Sequence, residues 1–273
     1  MVRTRIITAV IMLCLFLAAV FYLRAVFWMV LLLALTVTGS WEWSRLAQFS
    51  ARHSIIYLLL TALLGGELLY LLDRAVNADA FSHSFLSFYL ASLVFWGLIV
   101  PYLLKSRYAI RSRLLLALTG WLVLLPTSFA LYQLRAIDPI VLLGFMATVW
   151  VSDTAAYFAG RAFGKHKLAP NISPGKTWEG VAGALAAVFI YALLWRHLAG
   201  EEAQPKFLIP VLLVIAVLGI IGDLFESLMK RHAGLKDSGN ILPGHGGILD
   251  RIDALTSTLP VAALSILFLR PEL

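Results

Sequence analysis

The chain has 273 residues, 61% of them hydrophobic and only 14% charged, with a formal net charge of +7 and one cysteine. A soluble domain carries about 25% charged and 45–50% apolar residues, so this apolar excess excludes a protein with a single water-facing core. The positive charge does not point to a nucleic-acid binder, because the basic residues sit between long apolar runs, and Cys14 alone excludes an intrachain disulfide.

Arg3 and Arg5 precede an apolar run over 6–23. That order mimics a cleavable signal, but the run is longer than a signal core and further spans follow at once, so it reads as a retained first helix. A transmembrane helix needs roughly 20 mostly apolar residues. Nine stretches come close: 6–23, 25–41, 55–72, 84–104, 114–134, 139–160, 179–198, 207–229 and 252–269. The first two are short and share only a tight turn at Arg24. Pro101, Pro126 and Pro260 fall inside spans, where neighbouring helices satisfy the carbonyls they free. No internal repeat or low-complexity linker breaks the chain. The expected fold is an all-α integral membrane protein: a polytopic bundle of about nine transmembrane helices with a cytoplasm-facing polar cavity. One integral domain over 1–273 is expected, with scaffold helices to about 135 and catalytic helices and loops over about 139–269.

Lys and Arg set the orientation. With the N-terminus inside, sixteen of the 22 fall in inside segments, leaving Arg24, Arg74, Arg135, Arg196, Lys206 and Arg270 outside. The expectation is a cytoplasmic N-terminus and, after an odd number of spans, a C-terminus on the far side. Without the first hairpin the same loops stay cytoplasmic.

Ionisable residues inside spans are costly and mark function. Here they are Glu67, Asp153, Asp223, Glu226 and Asp253, with Glu42 and Glu179 nearer span ends. Glu67, beside Gly65 and Gly66, reads as a partner in helix packing. The N-terminal helices, to about residue 110, are read as scaffold without identifiable chemistry. The first charged block runs from Ser152 to Gly180. Asp153 and Tyr157 are one turn apart, and Arg161, Lys165, His166 and Lys167 follow. Gly175-Lys176-Thr177 invites a P-loop reading, but position 170 is proline and no strand is expected before it. What remains is a cationic turn and a helix N-terminus, both favourable for anions. Ser173 or Thr177 caps that helix, and Trp178 fits an interfacial belt.

In Gly222–Lys230, the residues Asp223, Glu226, Ser227 and Lys230 share one helical face. Two carboxylates and a hydroxyl suit Mg²⁺, and a snorkelling helix end explains the same face equally well. The loop over 231–253 shifts the balance. Gly239, Gly244, Gly246 and Gly247 allow close backbone approach, and such turns aim N–H groups at phosphate. Lys230, Arg231, Lys236 and Arg251 supply cations, while Asp237, Asp250 and Asp253 supply metal-type oxygens. His245 suits a general base, a phosphate donor or a metal ligand, and no second histidine stands at zinc-like spacing. His53, His83 and His197 read as interfacial and inert.

The stretch Ser227–Asp253, SLMKRHAGLKDSGNILPGHGGILDRID, resembles the signature of the phosphatidate cytidylyltransferase family, the CDP-diacylglycerol synthases. Its Ser, Lys-Arg, Lys-Asp, His-Gly-Gly and Asp-Arg-x-Asp positions are all met, and Ser152–Gly180 is similar to a second family block. The resemblance implies conversion of CTP and phosphatidate to CDP-diacylglycerol and pyrophosphate, dependent on Mg²⁺ with K⁺ beside it. It also implies a homodimer in the bacterial-type inner membrane. Asp223 and Asp250 are the implied metal ligands, with Glu226 and Asp253 beside them. Lys230, Arg231, Lys236 and Arg251 would clamp phosphates, Asp237 and His245 would orient, and Ser152, Asp153, Ser173, Lys176, Thr177, Ser227, Gly246 and Gly247 would bind substrate. Two rivals fit less well. A secondary transporter of an anionic solute should place its polar residues at the midplane in two pseudo-repeated halves. A CDP-alcohol phosphotransferase should carry an Asp-rich helix pattern that this chain lacks.

Overall fold

In hydrocarbon no water takes up free N–H and C=O groups, so long runs of Leu, Ile, Val, Ala and Phe satisfy their backbone as helices. The structure, a computed structural model, describes residues 2–77, 83–199, 205–242, 244 and 246–269. Its helices are α1 (Val2–Tyr22), α2 (Ala25–Leu46), α3 (Ala51–Asn77), α4 (His83–Val94), α5 (Val100–Ser106), α6 (Arg113–Ile137), α7 (Pro139–Phe163), α8 (Trp178–Ala199), α9 (Pro205–His232) and α10 (Leu249–Leu269). A π-helical turn over Phe95–Ile99 joins α4 to α5, just before Pro101. Among the described residues, eight helical rods are long and apolar enough to cross a membrane, and Ile7–Tyr22 of α1 is a shorter ninth.

Most helices outrun the expected spans; α2, for example, continues to Leu46 and α3 begins at Ala51. Hydropathy marks the hydrocarbon depth, whereas a helix continues into the headgroup zone as long as its backbone is bonded. Leu63, Leu98 and Ile140 are 72%, 69% and 68% exposed on the chain by itself, as suits a helix surface that meets lipid or another membrane protein. Glu67 lies on that surface. The expectation that it packs between helices is corrected: it is exposed and has no ion pair or hydrogen bond among the described residues. Gly65 does the packing instead, against Leu33 and Leu125.

The core forms two layers along the helix axes. One gathers Trp28, Leu69, Phe129, Leu142 and Leu212. The other gathers Trp43, Trp96, Val100, Phe225 and Leu228 at the end where α2, α5, α7 and α9 finish. Polar side chains bridge helices where backbone groups are left over. Pro260 cannot donate to the Thr256 carbonyl, and Thr127 Oγ1 of α6 reaches that carbonyl at 3.4 Å. At the opposite end Arg135 donates to the Val20 and Leu23 carbonyls that close α1, and its guanidinium lies 5.0 Å over the Trp28 ring.

One short hairpin departs from the helical pattern. Strands β1 (Lys167–Ala169) and β2 (Ser173–Thr177) pair antiparallel between α7 and α8. The expectation that no strand precedes Gly175-Lys176-Thr177 is therefore corrected. These residues lie inside β2 rather than in a loop between strand and helix, so a Walker A cradle remains excluded.

The pairs α7–α8 and α9–α10 pack most extensively. Gly222 sets the second approach: a Cβ there would meet Ser257 Oγ at 2.5 Å and the Asp253 carbonyl at 2.7 Å. Gly97 of the π-turn faces open space. Gly222→Ala is expected to lower the melting temperature of detergent-solubilised protein by the equivalent of about 1–3 kcal/mol of overpacking, while Gly97→Ala leaves it nearly unchanged.

Candidate active site

Three chain segments meet where α7, α9 and α10 reach the loop-rich end. On α7, Asp153, Tyr157 and Arg161 follow each other at i, i+4 and i+8 and line one wall of a cavity of about 630 Å³. The hairpin closes over this wall. His166 Nδ1 pairs with Glu179 Oε1 at 2.6 Å, and Glu179 also accepts from the His166 backbone N–H, fastening β1 to the first turn of α8. Of the two possible caps of α8 it is Thr177 that serves, its Oγ1 accepting from Gly180 N at 3.1 Å. Trp178 beside it is 59% exposed, as an interfacial ring should be.

The acid face of α9 meets this hairpin. Lys176 Nζ lies 2.7 Å from Asp223 Oδ2 and donates to the Ile220 carbonyl at 3.4 Å, so β2 is clamped onto α9. Ser227 Oγ donates to Asp223 Oδ1 at 3.3 Å. One turn further, Lys230 Nζ sits 2.7 Å from Asp250 Oδ1 and 3.5 Å from Glu226 Oε2. Asp223 stands between Asp153 and Asp253 as a like-charged neighbour of both, and Asp253 lies against Glu226. Glu226 is buried, and neither of its oxygens has a hydrogen-bond partner.

Asp250 is the most heavily engaged acid. Besides Lys230, its Oδ2 accepts from Gly247 N at 2.8 Å and from Ser238 N and Oγ at 2.9 Å. A second carboxylate completes the arrangement from far away in the chain. Glu42 of α2, fully buried, accepts from Ile248 N at 3.0 Å, Leu249 N at 2.8 Å and Ser238 Oγ at 3.1 Å. Glu42 thus caps α10 from another helix, where the positive end of the dipole favours an anion. Ser238 has one hydroxyl proton for two acidic partners and links Glu42 to Asp250.

The glycines acquire a different role from the one expected. Gly247 has no room for a side chain because Ser238 Oγ and the Glu42 carboxyl fill that space. Gly246 adopts φ +81° with the Asp250 carboxylate against it, a conformation L side chains rarely take. Their bare Cα atoms admit protein carboxylates, and the Gly247 N–H is already spent on Asp250.

The structure brings together most of the expected residues. Asp153, Ser173, Lys176, Thr177, Asp223, Lys230, Asp237, Asp250, Arg251 and Asp253 all line the cavity. Ser152 is buried in α7 away from it. Ser227 and Glu226 stand behind the wall, and Gly246 and Gly247 lie in the supporting loop. Arg231 turns to backbone, donating at 3.4 Å to the Ile172 and Leu235 carbonyls, and so ties the hairpin to the end of α9. Lys236 is exposed and does not line the cavity. His245 lies outside the described residues. Glu42 is the functional residue that the sequence reading missed. The expectation of pure scaffold in the N-terminal helices is corrected by its contacts. Its signal was present, an acid near the end of an apolar span, but nothing local names its partners some 200 residues away.

The cytidylyltransferase family profile matches residues 3–269. Phosphatidate cytidylyltransferase of Haemophilus influenzae is 34% identical over 281 residues, covering 95% of this chain and 96% of its own. Phosphatidate cytidylyltransferase of Pseudomonas aeruginosa is 38% identical over 270 residues, 96% of both chains. Phosphatidate cytidylyltransferase of Bacillus subtilis is 46% identical over 112 residues, 41% of this chain and 42% of its own.

Removing the Glu42 carboxylate strands the Ile248 and Leu249 backbone N–H groups and leaves the Ser238 hydroxyl to Asp250 alone. Glu42→Ala is expected to cost about 3 kcal/mol or more, measured as a lower melting temperature and faster proteolysis within 233–248. Glu67→Gln, on the lipid-facing surface, should leave both measures unchanged.

Proposed function

The chain belongs to the cytidylyltransferase family, and we propose that it is the enzyme that joins CTP and phosphatidate to give CDP-diacylglycerol and pyrophosphate. The observation that carries this reading is a cavity lined by both acids and bases at the loop-rich end of a largely apolar bundle. There Lys176 meets Asp223 and Lys230 meets Asp250 across separate segments. One substrate is a water-soluble triphosphate and the other is anchored in the bilayer, so a site for both belongs at the lipid–water boundary. A transporter would place such groups near the midplane of two related halves. Here they gather at one end.

In this reading a phosphatidate oxygen attacks the α-phosphorus of CTP in line, and the bond to the β-phosphate breaks to release pyrophosphate. The second ionisation of a phosphomonoester falls near pH ~6, so the attacking oxygen needs no strong base. Lys176 and Lys230 stand ready to exchange a carboxylate partner for a phosphate oxygen, and Arg251 adds a fork-shaped donor set. Asp237 on the cavity wall is a further carboxylate for ligation or orientation. Glu42 and Asp250 keep the loop in place while charge builds on the triphosphate.

The donor set suits Mg²⁺. Its oxygens are all carboxylates: Asp223 and Asp250 each hold a lysine ammonium group at 2.7 Å, and the buried Glu226 has only a 3.5 Å contact with Lys230. Among the described residues no three acidic or histidine side chains form a ready cage. Mg²⁺ is commonly held by one or two carboxylates, with water and substrate phosphates completing its shell. Asp223 and Asp250 would hold it, with Glu226 and Asp253 beside them and K⁺ as a companion. When bound, it would neutralise charge on the triphosphate and the leaving pyrophosphate. The excess of Lys and Arg at the loop-rich end supports a cytoplasmic site in a bacterial-type inner membrane, with the N-terminus inside. The family resemblance supports a homodimer as the working unit.

Purified protein given CTP, phosphatidate and Mg²⁺ is expected to release pyrophosphate, and to stop when EDTA removes the metal. No release from the unmodified protein would eliminate this reading. Asp223→Asn and Asp250→Ala should each lower turnover by about 100-fold or more. Release that survives Asp250→Ala would remove Asp250 from the metal set.

A further inference from the structure

Four cations line the cavity: Arg161, Lys176, Lys230 and Arg251. Two are already neutralised, Lys176 by Asp223 and Lys230 by Asp250 and Glu226. Arg161 and Arg251 have no carboxylate partner among the described residues, so each can take a phosphate without breaking an ion pair. They stand on different elements. Arg251 is in the first turn of α10, between Asp250 and Asp253. Arg161 is on α7, where its Nη1 donates to Tyr157 Oη at 3.0 Å.

The surroundings of Arg161 differ from those of Arg251 in one respect. Phe158 and Phe163 beside it are 64% and 70% exposed, and Trp178 opens α8 at the same end. Tyr157 is itself mostly exposed and packs against Phe158 at 5.4 Å between ring centroids. Exposed aromatic rings at a helix end mark the zone where acyl chains give way to headgroups. The α7 wall therefore offers a free guanidinium and a phenol hydroxyl at the height where a lipid carries its phosphate.

We infer that Arg161 and Tyr157 form the subsite for the phosphomonoester headgroup of the lipid substrate, leaving Arg251 and the two lysines to the nucleotide. This assignment rests on the reaction proposed above and deepens it. Arg161 grips two phosphate oxygens through its planar fork, and Tyr157 holds the guanidinium in register while donating its own proton to a third. The acyl chains remain among Phe158, Phe163 and neighbouring lipid. Asp153, two turns deeper on the same stripe, repels a phosphate that slides too far in.

The test is steady-state kinetics of the full-length enzyme in mixed micelles, varying the mole fraction of phosphatidate at saturating CTP and then the reverse. Arg161→Ala is expected to raise KM for phosphatidate about 10-fold or more while KM for CTP stays within about twofold, with Arg161→Lys recovering part of the loss. Tyr157→Phe keeps the ring and should raise KM for phosphatidate about threefold. Arg251→Ala should show the opposite split, in KM for CTP. An Arg161→Ala enzyme whose KM for phosphatidate is unchanged, or whose KM for CTP rises as much, overturns the subsite while the activity itself stands. An unmodified enzyme without turnover removes the activity and the subsite together. Both Arg161 and Tyr157 are exposed, so unaltered melting temperatures separate lost binding from lost folding.

Discussion

A carboxylate taken out of water has to be met by donors or by a cation, and the arrangement of this protein's charged end follows from that requirement. Glu42 is answered by two backbone N–H groups and a serine, Asp250 by a lysine and three N–H or O–H donors, and Asp223 by a lysine and a serine. For each acid at least one answer comes from another segment of the chain. The acids are therefore cross-links as well as chemical groups, and they join α2, β2, α9 and α10 beside the apolar layer that Trp43 and Phe225 share.

Such pairs contribute less stability than their number suggests. Removing a charge from water costs about as much as the pairing returns, whereas deleting one partner of a buried pair costs about 3–5 kcal/mol. Their value lies in position. The pairs leave only a few arrangements of the 233–253 loop in which every charge is met, and the glycines are what let the carboxylates come close enough. Glu226 is the exception. Its buried carboxyl has only a long contact with Lys230 and lies against a second acid, Asp253, which leaves it the least compensated of these groups.

The same bookkeeping separates the cavity into two regions. Where lysines and acids are matched, an incoming triphosphate competes for partners already in place. On the α7 wall an arginine has no carboxylate partner among the described residues and aromatic rings are exposed, conditions suited to a headgroup arriving from the bilayer. A site that joins a soluble nucleotide to a lipid needs both kinds of wall, and a bundle end where helices stop at different heights supplies them.

Composition and hydropathy were enough to specify a membrane bundle and its helices, because lipid leaves the backbone no alternative to helix. The charged blocks at 152–180 and 223–253 were equally legible, since acids and bases inside apolar runs have few uses other than chemistry. Helical spacing placed Asp223, Glu226, Ser227 and Lys230 on one face for the same reason. Tertiary packing was needed for everything that depends on distant partners: Lys176 on Asp223, Arg231 on backbone rather than phosphate, Glu67 facing lipid, and Glu42 holding the loop that begins nearly 200 residues later. Those contacts are long-range hydrogen bonds and ion pairs, and no local pattern of residues records which acid will meet which donor once the helices have packed.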